Sequence, residues 1–512
     1  MTPAADSVHA LVERAAERQP QGLYAISAEG GEPLTFEALR RSCVAVGAWL
    51  RERGVGPGDT VAFVMPNGLQ TMRLLLGAMH AGVCVNPINL LAQPEQMRYV
   101  LDHSDCSLVF VAPEWEERIR AMAAEGTRPV QVLVASPDAN LGPDGAFGSE
   151  AAASGAACAE PDRDAAALLM YTSGTTGVPK GVILSHANLA ANAAAIGIEH
   201  GLGAADRVLA VLPLYHINAF VVTMLAPLAH GGSLAMTSRF SAAQFWRQAI
   251  DSNCTWLNVV PTIISYLLEG EAPPRESLAR IRFCRSASAA LPPEQHRAFE
   301  AKFGIGIVET MGLTETAAPA FSNPLDPARR KVGSVGRASG GEARVVDASL
   351  QPVADGSTGE IVLRGPHVMR GYYKNPEATA ATFTPDGWLR TGDLGHRDAD
   401  GFFFVTGRIK ELIIKGGENI APREIDDVLI GHPAVREAAA VGIPDRHYGQ
   451  EIMACVVLRA DSACSEDELR DFCVQRLGRY KAPKVIRFVA SLPRGPSGKV
   501  QRLKLLDAAT TG

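Results

Sequence analysis

Toward the N-terminal end of the chain, segments with the apolar spacing of a helix alternate with short apolar segments typical of strands. Apolar residues recur at helical spacing from Phe36 to Arg53, and a glycine-rich turn then leads into the β-rich run Thr60 to Met65. A second helical pattern follows and extends toward His80. Strands separated by helices are typical of parallel sheets, because the helix provides the crossover between neighbouring strands. This region therefore predicts an α/β fold.

The same alternation continues in the middle of the chain, where helical stretches separate the apolar runs Arg207 to Leu212 and Trp256 to Val260. Before it, Ser136 to Asp164 is rich in Ala, Gly, Pro and Asp without a clear period, which indicates a surface connection. From Gly359 to Val405 the expected strands are short and closely spaced. This change predicts a smaller β-rich subdomain.

The C-terminal part of the chain has a pattern of its own, with both helices and strands. Ser465 and Glu468 have the spacing of a capping box, which predicts a helix through Leu477. The run Ile452 to Leu458 is expected to be a strand. A domain boundary is therefore expected near residues 407–410.

Length and composition agree with a multidomain α/β protein, since the chain has 512 residues, 47% of them hydrophobic and 20% charged. The net charge of -6 argues against partners such as nucleic acid or an anionic membrane surface. The nine scattered cysteines, without a C-x-x-C pair, are typical of reduced thiols in a cytoplasmic protein. The segment Met1 to Pro20 lacks a signal-peptide core and is expected to form a surface helix, and the most apolar run, Ala219 to Ala229, is too short to span a bilayer.

A loop rich in glycine and hydroxyl groups, Tyr171 to Gly181, follows the apolar strand Ala165 to Met170. Glycines allow backbone N–H groups to turn toward an anion, hydroxyls add donors, and Lys180 adds a positive charge. The residue order differs from G-x-x-x-x-G-K-[ST], so this is not the P-loop of the common nucleotide hydrolases. The loop is predicted to bind phosphate groups.

This loop resembles the signature loop of the adenylate-forming superfamily, which comprises acyl-CoA synthetases, peptide-synthetase adenylation domains and luciferases. Further motifs of that superfamily follow in the same order and spacing over nearly the full length of the chain. They are Leu212 to His216, Glu309 to Glu315, Gly359–Glu360, Tyr372–Tyr373, Trp388 to Asp393, Gly407 to Glu411 and Pro496 to Lys499. An ordered series of this length is a specific signal, and the chain is identified as a member of the superfamily.

The resemblance implies an α/β fold with a large N-terminal domain, residues 1–407, made of two α/β sheets and a small β subdomain. A smaller, mobile α+β domain, residues 411–512, would follow a hinge at residues 408–410, with Lys410 at the pivot. The implied reaction joins a carboxylic acid to ATP, releasing pyrophosphate, and then passes the acyl group to coenzyme A, giving acyl-CoA and AMP. ATP, Mg²⁺ and coenzyme A are therefore expected, the partner is a small-molecule acid, and a homodimer is compatible with the resemblance.

The resemblance also assigns roles to residues at matching positions. Attack of a carboxylate on ATP must overcome charge repulsion, so positioning and electrostatic stabilisation are expected to dominate catalysis. The candidate catalytic residues are Lys499, which would bridge the acid and the α-phosphate, Thr314, which would bond the α-phosphate, Glu315, and His216, which would position the acid. Glu315 and Thr175 are the candidate Mg²⁺ ligands. The candidate nucleotide- and coenzyme-binding residues are Thr172, Ser173, Gly174, Thr175, Thr176, Gly177, Lys180, Ser288, Glu309, Thr310, Met311, Gly312, Asp393, Arg408, Lys410, Gly416 and Gly417.

The resemblance implies that the loop Thr172 to Lys180 binds the β- and γ-phosphates. It also implies that Asp393, assisted by Arg408, binds the ribose hydroxyls. The turn from Lys415 to Asn419 would face the pantetheine thiol. Met311 departs from the family pattern, since many relatives have a tyrosine there that stacks on adenine. Methionine offers a polarizable contact of less defined geometry, which affects nucleotide affinity rather than the reaction.

The acid is less well defined. The segment Ser322 to Gly336 resembles a branch that includes ligases for small polar acids and generic fatty-acid ligases, so short polar, aromatic and longer fatty acids all remain open. Arg285 has two interpretations: a partner for a second anionic group of the acid or, as the sequence favours, a structural cation beneath the nucleotide site.

The acceptor also leaves alternatives. A stand-alone adenylation enzyme that loads a carrier protein would tend to have an acidic residue just after His216, whereas Ile217 and Asn218 follow here. Free coenzyme A is therefore favoured. A non-catalytic nucleotide-binding regulator would have no need of Lys499 or Glu315, and both are present.

Overall fold

The computed structural model describes residues 6–138, 158–172, 178–460, 462–494 and 500–506. Its strands, in chain order, are β1 Leu23–Ser27, β2 Leu34–Thr35, β3 Thr60–Val64, β4 Cys84–Pro87, β5 Leu108–Val111, β6 Gln131–Val134, β7 Ala166–Thr172, β8 Lys180–Ser185, β9 Arg207–Ala210, β10 Ser233–Met236, β11 Trp256–Val259, β12 Phe283–Ser286, β13 Ile307–Leu313, β14 Ala318–Ser322, β15 Arg337–Ala338, β16 Glu342–Val346, β17 Gly359–Arg364, β18 Gly371–Tyr372, β19 Leu389–Arg397, β20 Phe403–Arg408, β21 Ile413–Lys415, β22 Glu418–Ile420, β23 Val435–Asp445, β24 Gly449–Leu458 and β25 Val485–Phe488.

The α-helices of the described residues, in chain order, are α1 Val8–Arg18, α2 Phe36–Glu52, α3 Leu69–His80, α4 Pro94–His103, α5 Glu116–Ala124, α6 His186–Glu199, α7 Ala226–His230, α8 Ala242–Asp251, α9 Pro261–Glu269, α10 Pro293–Phe303, α11 Pro376–Thr382, α12 Pro422–Ile430 and α13 Glu466–Lys481. A π-helix, Asn218–Leu225, precedes α7. Short 3-10 helices cover Pro113–Trp115, Arg275–Leu278, Thr314–Thr316, Pro327–Arg329, Ile409–Glu411 and Arg502–Lys504.

Two large sheets form the N-terminal part of the molecule. The nine-stranded sheet has the order β15-β14-β13-β12-β11-β9-β10-β1-β2, and the seven-stranded sheet has the order β18-β8-β7-β4-β3-β5-β6. Pairing is parallel from β13 through β1 in the first sheet and from β7 through β6 in the second. All residues of helix α3 are buried, and the helix contacts β1 of one sheet and β4 of the other. The expected α/β fold is confirmed.

Helix α1 differs from the surface helix that the sequence predicts. Ser7 caps its first turn by accepting a hydrogen bond from the backbone N–H of Ala10. The apolar face, including Val8, Leu11 and Val12, is buried against α2, α3 and α6. Ala10, Ala15 and Ala16 on the same face are also buried, and their small side chains permit close packing on the neighbouring helices.

The most apolar run of the sequence is part of the core. It forms the π-helix Asn218–Leu225, whose residues are all buried, and the start of α7. Within the described ranges, no helix is both long and apolar enough to cross a membrane. All nine cysteines lie in described residues as free thiols.

Two smaller sheets follow along the chain. An antiparallel sheet of order β16-β17-β19-β20 forms the expected β-rich subdomain, although it begins at Glu342, before the predicted start at Gly359. The C-terminal sheet contains β22, β21, β24 and β23, with β25 paired in parallel to β24. Helix α13 begins after Ser465, whose hydroxyl accepts from the N–H of Glu468 at 3.1 Å, as the capping pattern predicts. Separate hydrophobic clusters cover the two faces of this sheet, so the unit has a core of its own.

Candidate active site

The predicted phosphate loop connects two antiparallel neighbours in the seven-stranded sheet. Strand β7 ends at Thr172 and β8 begins at Lys180, and these two residues are paired across the hairpin. The ends of the loop are therefore fixed at one end of the sheet. The five candidate residues between them lie outside the described residues: Ser173, Gly174, Thr175, Thr176 and Gly177.

Lys180, Tyr372 and Glu315 form a connected group beside this loop. The two-residue strand β18 pairs with β8 and places the ring of Tyr372 4.9 Å from the Lys180 Nζ. The Tyr372 hydroxyl donates to the Glu315 Oε1 at 2.8 Å. Burial, together with the Glu315 carboxylate, raises the pKa of Tyr372, so the phenol remains a donor at neutral pH. The sequence placed Tyr372 in a family motif but did not predict this bridging contact.

Thr314 and Glu315 lie where strand β13 turns back into β14. They belong to a short 3-10 helix that the chain leaves through Ala317, in a left-handed conformation with φ of 53°. Gly312 is required for this hairpin because a Cβ there would lie 1.8 Å from the carbonyl oxygen of Ala318. Met311 is partly buried and pairs with Phe321 of β14, next to a register shift between Met311 and Gly312. The hairpin thus brings Glu315 next to Tyr372, with Thr314 as its neighbour in the chain.

Asp393 and Arg408 face each other across strands β19 and β20. The Arg408 Nε donates to the Asp393 Oδ1 at 2.7 Å, and the Asp393 side chain is only 4% exposed. The Asp393 carboxylate raises the pKa of Arg408, with smaller contributions from Glu411 and Glu315. A buried carboxylate with an oriented cation suits recognition of paired hydroxyl groups, since a carboxylate offers two acceptor oxygens.

His216 and Ser288 lie in segments that follow two strands of the nine-stranded sheet, β9 and β12. His216 precedes the π-helix, and its carbonyl accepts from the N–H of Phe220 at 2.9 Å. Ser288 follows β12 in a left-handed conformation with φ of 73°. The Asn218 Nδ2 donates to the Ser288 Oγ at 3.3 Å, which connects the start of the π-helix to the loop after β12.

Glu309 and Thr310 lie in strand β13 but differ in their surroundings. The Glu309 Oε1 is hydrogen-bonded to the His296 Nδ1 at 3.0 Å, so this carboxylate is directed toward α10. The Thr310 hydroxyl donates to the carbonyl of Ser286 at 3.4 Å, in the neighbouring strand. A nucleotide contact by Glu309 stays a prediction, and the engagement of its carboxylate with His296 does not favour it.

The buried pair of His296 and Glu309 gives the protein a predicted pH dependence. Burial lowers the pKa of His296, but hydrogen bonds to Glu300 and Glu309 outweigh it and raise the pKa to about 9. Because the pKa of His296 in the folded state lies above its unfolded-state pKa of about 6.5, protonated His296 stabilises the fold fully below about pH 6.5. This contribution is lost as the pH rises through about 9. The free energy of unfolding is therefore expected to fall by about 3 kcal/mol over this interval.

Chemical unfolding of the wild type and of His296→Gln between pH 6 and pH 10 measures this effect. The variant is expected to lose most of the pH dependence, while His447→Gln, at an exposed position, retains it. An equal pH slope in wild type and His296→Gln would contradict the assignment.

The C-terminal candidates lie on separate loops. Lys410 is exposed in the 3-10 helix Ile409–Glu411. Gly416 and Gly417 form the turn between β21 and β22, with φ of 56° and 87°. No described atom lies within 4 Å of a Cβ built on Gly417, so this turn is open on one side. Lys499 lies outside the described residues, and its predicted role is therefore based on sequence alone.

Comparisons with known proteins agree with this arrangement. Residues 12–373 match the family model of the AMP-binding enzymes, and residues 424–499 match that of the AMP-binding enzyme C-terminal domain. The chain is 59% identical over 507 residues to a sulfoacetate–CoA ligase of Cupriavidus necator, with 98% of each chain covered. It is 34% identical to an oxalate–CoA ligase of Arabidopsis thaliana, with 97% of each chain covered.

A solved structure extends the likeness to three dimensions. ATP-bound MatB from Rhodopseudomonas palustris superposes with a TM-score of 0.90 at 31% identity, and the match covers 99% of each chain. Its full-length coverage includes the large N-terminal and small C-terminal parts of the molecule. The chain belongs to the AMP-binding enzymes of the adenylate-forming acid–CoA ligase superfamily.

Proposed function

We propose that this protein is an AMP-forming ligase that joins sulfoacetate to coenzyme A. Sulfoacetate and ATP would give sulfoacetyl-adenylate and pyrophosphate, and coenzyme A would then displace AMP to give sulfoacetyl-CoA. The observation that carries the proposal is the 59% identity, over 98% of each chain, to the sulfoacetate–CoA ligase of Cupriavidus necator. An identity of this size over the full length supports the proposal for both half-reactions.

The group around Tyr372 is proposed to hold the triphosphate end of ATP. Lys180 supplies positive charge beside the phosphate loop, and Thr314 lies in the adjoining turn. Asp393 is proposed to accept hydrogen bonds from the ribose hydroxyls, while Arg408 fixes the orientation of the carboxylate through its 2.7 Å contact. These fixed charges would stabilise the transition state without reorganisation during the reaction.

The residues present fit a Mg²⁺ ion at Glu315. Hard divalent cations prefer carboxylate oxygens, and the Tyr372 hydroxyl fixes the position of this carboxylate through one oxygen. Bound Mg²⁺ would neutralise charge on the phosphate groups. Thr175 is retained as the second proposed ligand on the basis of the sequence.

His216 is proposed to position the acid, and Lys499 to bridge its carboxylate and the α-phosphate. For the second step, we propose rotation of residues 411–512 about the hinge at residues 408–410. The open side of the turn at Gly416 and Gly417 would then allow pantetheine to approach. Division of the chain into residues 1–407 and 411–512 is part of this proposal.

Pyrophosphate release tests the proposal. With ATP and Mg²⁺, sulfoacetate is expected to give the highest kcat/KM in a panel that also contains acetate, oxalate, malonate, benzoate and octanoate. Formation of AMP in multiple turnovers is expected to require coenzyme A, with sulfoacetyl-CoA identified by mass spectrometry. Preference for another acid would refute the proposed substrate, and turnover without coenzyme A would refute the proposed acceptor.

A further inference from the structure

Arg285 is a buried cation without a carboxylate partner among the described residues. It lies in strand β12 and is 1% exposed. Its Nη1 donates to the Asn218 Oδ1 and to the Asn258 Oδ1, both at 2.7 Å, and both acceptors are neutral amides. Its Nε is buried and contacts no acceptor within the described part of the chain. The guanidinium therefore retains its positive charge uncompensated.

Among the described residues, two other cations of low exposure are paired with carboxylates, whereas the buried Arg73 is not, and its Nη1 donates to the Gln70 Oε1 at 3.5 Å. Lys415 contacts Glu451 at 2.5 Å, and Arg502 contacts Asp426. Burial of a charge without such a partner is costly, and hydrogen bonds to neutral groups offset only part of the cost. Burial lowers the pKa of Arg285 to about 9, as expected where no negative charge compensates desolvation. Arg285 therefore lacks, in the described ranges, the compensation by a carboxylate that Lys415 and Arg502 have.

Groups packed near Arg285 do not supply the missing negative charge. The neighbouring titratable residue is His200, whose imidazole is completely enclosed and contacts Phe283 and Trp256. Burial, with a further contribution from the Arg285 charge, lowers the pKa of His200 to about 3, so the ring is neutral. Within the described residues, no negatively charged group therefore compensates the charge of Arg285.

The guanidinium is connected to the acid end of the candidate active site. Asn218 accepts from Arg285 and donates to the Ser288 Oγ at 3.3 Å. Asn218 also follows His216 by two residues at the start of the buried π-helix. Asn218 thus connects the guanidinium to Ser288 and lies two residues along the chain from His216, which is proposed to position the acid.

We propose that Arg285, with Asn218 and Ser288, forms the subsite that binds the sulfonate of the substrate while the carboxylate of the same molecule reacts. This inference rests on the proposed function and names the residue that selects dianionic acids. The amides of Asn218 and Asn258 orient the guanidinium without neutralising it, since an aspartate at either position would supply an internal counter-ion. The charge is then compensated only when the acid is bound.

Two substrates separate the charge of the second group from its shape. Sulfoacetate has a tetrahedral sulfonate, and methylsulfonylacetate has the same tetrahedral sulfur with one oxygen replaced by methyl and no second charge. Arg285→Met is expected to lower kcat/KM for sulfoacetate by at least about 10²-fold, as for removal of one member of a buried charge pair. The value for methylsulfonylacetate is expected to change little, and Arg285→Lys is expected to recover part of the preference for sulfoacetate.

Asn258→Asp provides a second variant of nearly unchanged shape. Its carboxylate would pair with Arg285 and compete with the sulfonate, so kcat/KM for sulfoacetate is expected to fall while thermal stability is maintained. Arg282→Met is the matched control because Arg282 lies near β12 but pairs with Asp206 and is partly exposed. Selectivity in this control is expected to equal that of the wild type.

These measurements distinguish failure of the proposed sulfonate subsite from failure of the proposed function. Wild-type protein that releases no pyrophosphate with sulfoacetate would refute the proposed substrate and this assignment with it. Wild-type activity combined with equal losses for both substrates in Arg285→Met would refute the subsite alone. Unchanged sulfoacetate kinetics in Asn258→Asp would refute it as well, even if Arg285→Met does not fold.

Discussion

Replacing Glu315 by glutamine is expected to lower pyrophosphate release by more than about 10²-fold at millimolar Mg²⁺, beyond the range found for residues that only support a metal ligand. Glutamine preserves the shape of the side chain and its ability to accept from Tyr372, whose hydroxyl lies 2.8 Å from the Glu315 Oε1. It removes the negative charge that a hard divalent cation prefers. The loss should therefore appear as a higher Mg²⁺ requirement.

Tyr372→Phe separates the supporting role from the ligand role. Phenylalanine retains the ring that lies 4.9 Å from the Lys180 Nζ but loses the hydrogen bond to Glu315. A loss of about 10-fold is expected, as for other groups that orient a metal ligand. Pyrophosphate release is measured across a Mg²⁺ titration, with Glu342→Gln as an exposed control. A loss in Glu315→Gln that is identical at every Mg²⁺ concentration would count against the metal site.

The contact between Tyr372 and Glu315 could not be predicted from the sequence. The phosphate loop could be predicted because its glycines, hydroxyls and lysine are consecutive in the chain. Tyr372 reaches the loop through β18, a strand of two residues that is too short to show a period. Its pairing with β8 depends on the tertiary structure. The motif series placed the residue in the family pattern but not in contact with Glu315.

The register between strands β19 and β20 places Asp393 opposite Arg408. Asp393 and Arg408 are paired residues of neighbouring strands, and a register shift occurs between Leu394 and Gly395. The sequence identified both residues by resemblance, but an irregular ladder cannot be counted from hydrophobic alternation. Glu309 illustrates the same limit, because the direction of its carboxylate toward α10 is a property of the folded strand.

Much of the fold was predictable because the apolar spacing of long amphipathic helices can be recognised in the sequence. The predicted helix Phe36 to Arg53 differs from α2 by a single residue at its end. Arg285 was not predictable in the same way, since its two acceptors are 67 and 27 residues away in the chain. The sequence favoured a structural cation, and only the identity of its neutral partners favours a role in binding.

Replacing Lys499 by alanine is expected to reduce adenylate formation by about 10² to 10³-fold, the effect of removing one group that stabilises transition-state charge. The predicted role of this lysine is confined to the first step, in which the acid carboxylate approaches the α-phosphate. Arg494 and Val500, which flank its segment, form a β-bridge, and Leu492 and Leu505 are buried against the C-terminal sheet. Thioester formation from supplied sulfoacetyl-adenylate and coenzyme A should therefore be nearly unchanged, because the domain that carries it remains folded.

The two half-reactions are measured separately, as pyrophosphate release without coenzyme A and as thioester formation from the adenylate. Lys504→Ala is a suitable control because Lys504 is exposed in the same domain and has no assigned role. A selective loss of the first half-reaction would assign Lys499 to the adenylate-forming arrangement and would imply that the C-terminal domain must reorient before the thiol attacks. Equal losses in both half-reactions would instead mean that the substitution disturbs the domain as a whole, since a single charge in one arrangement cannot serve both steps.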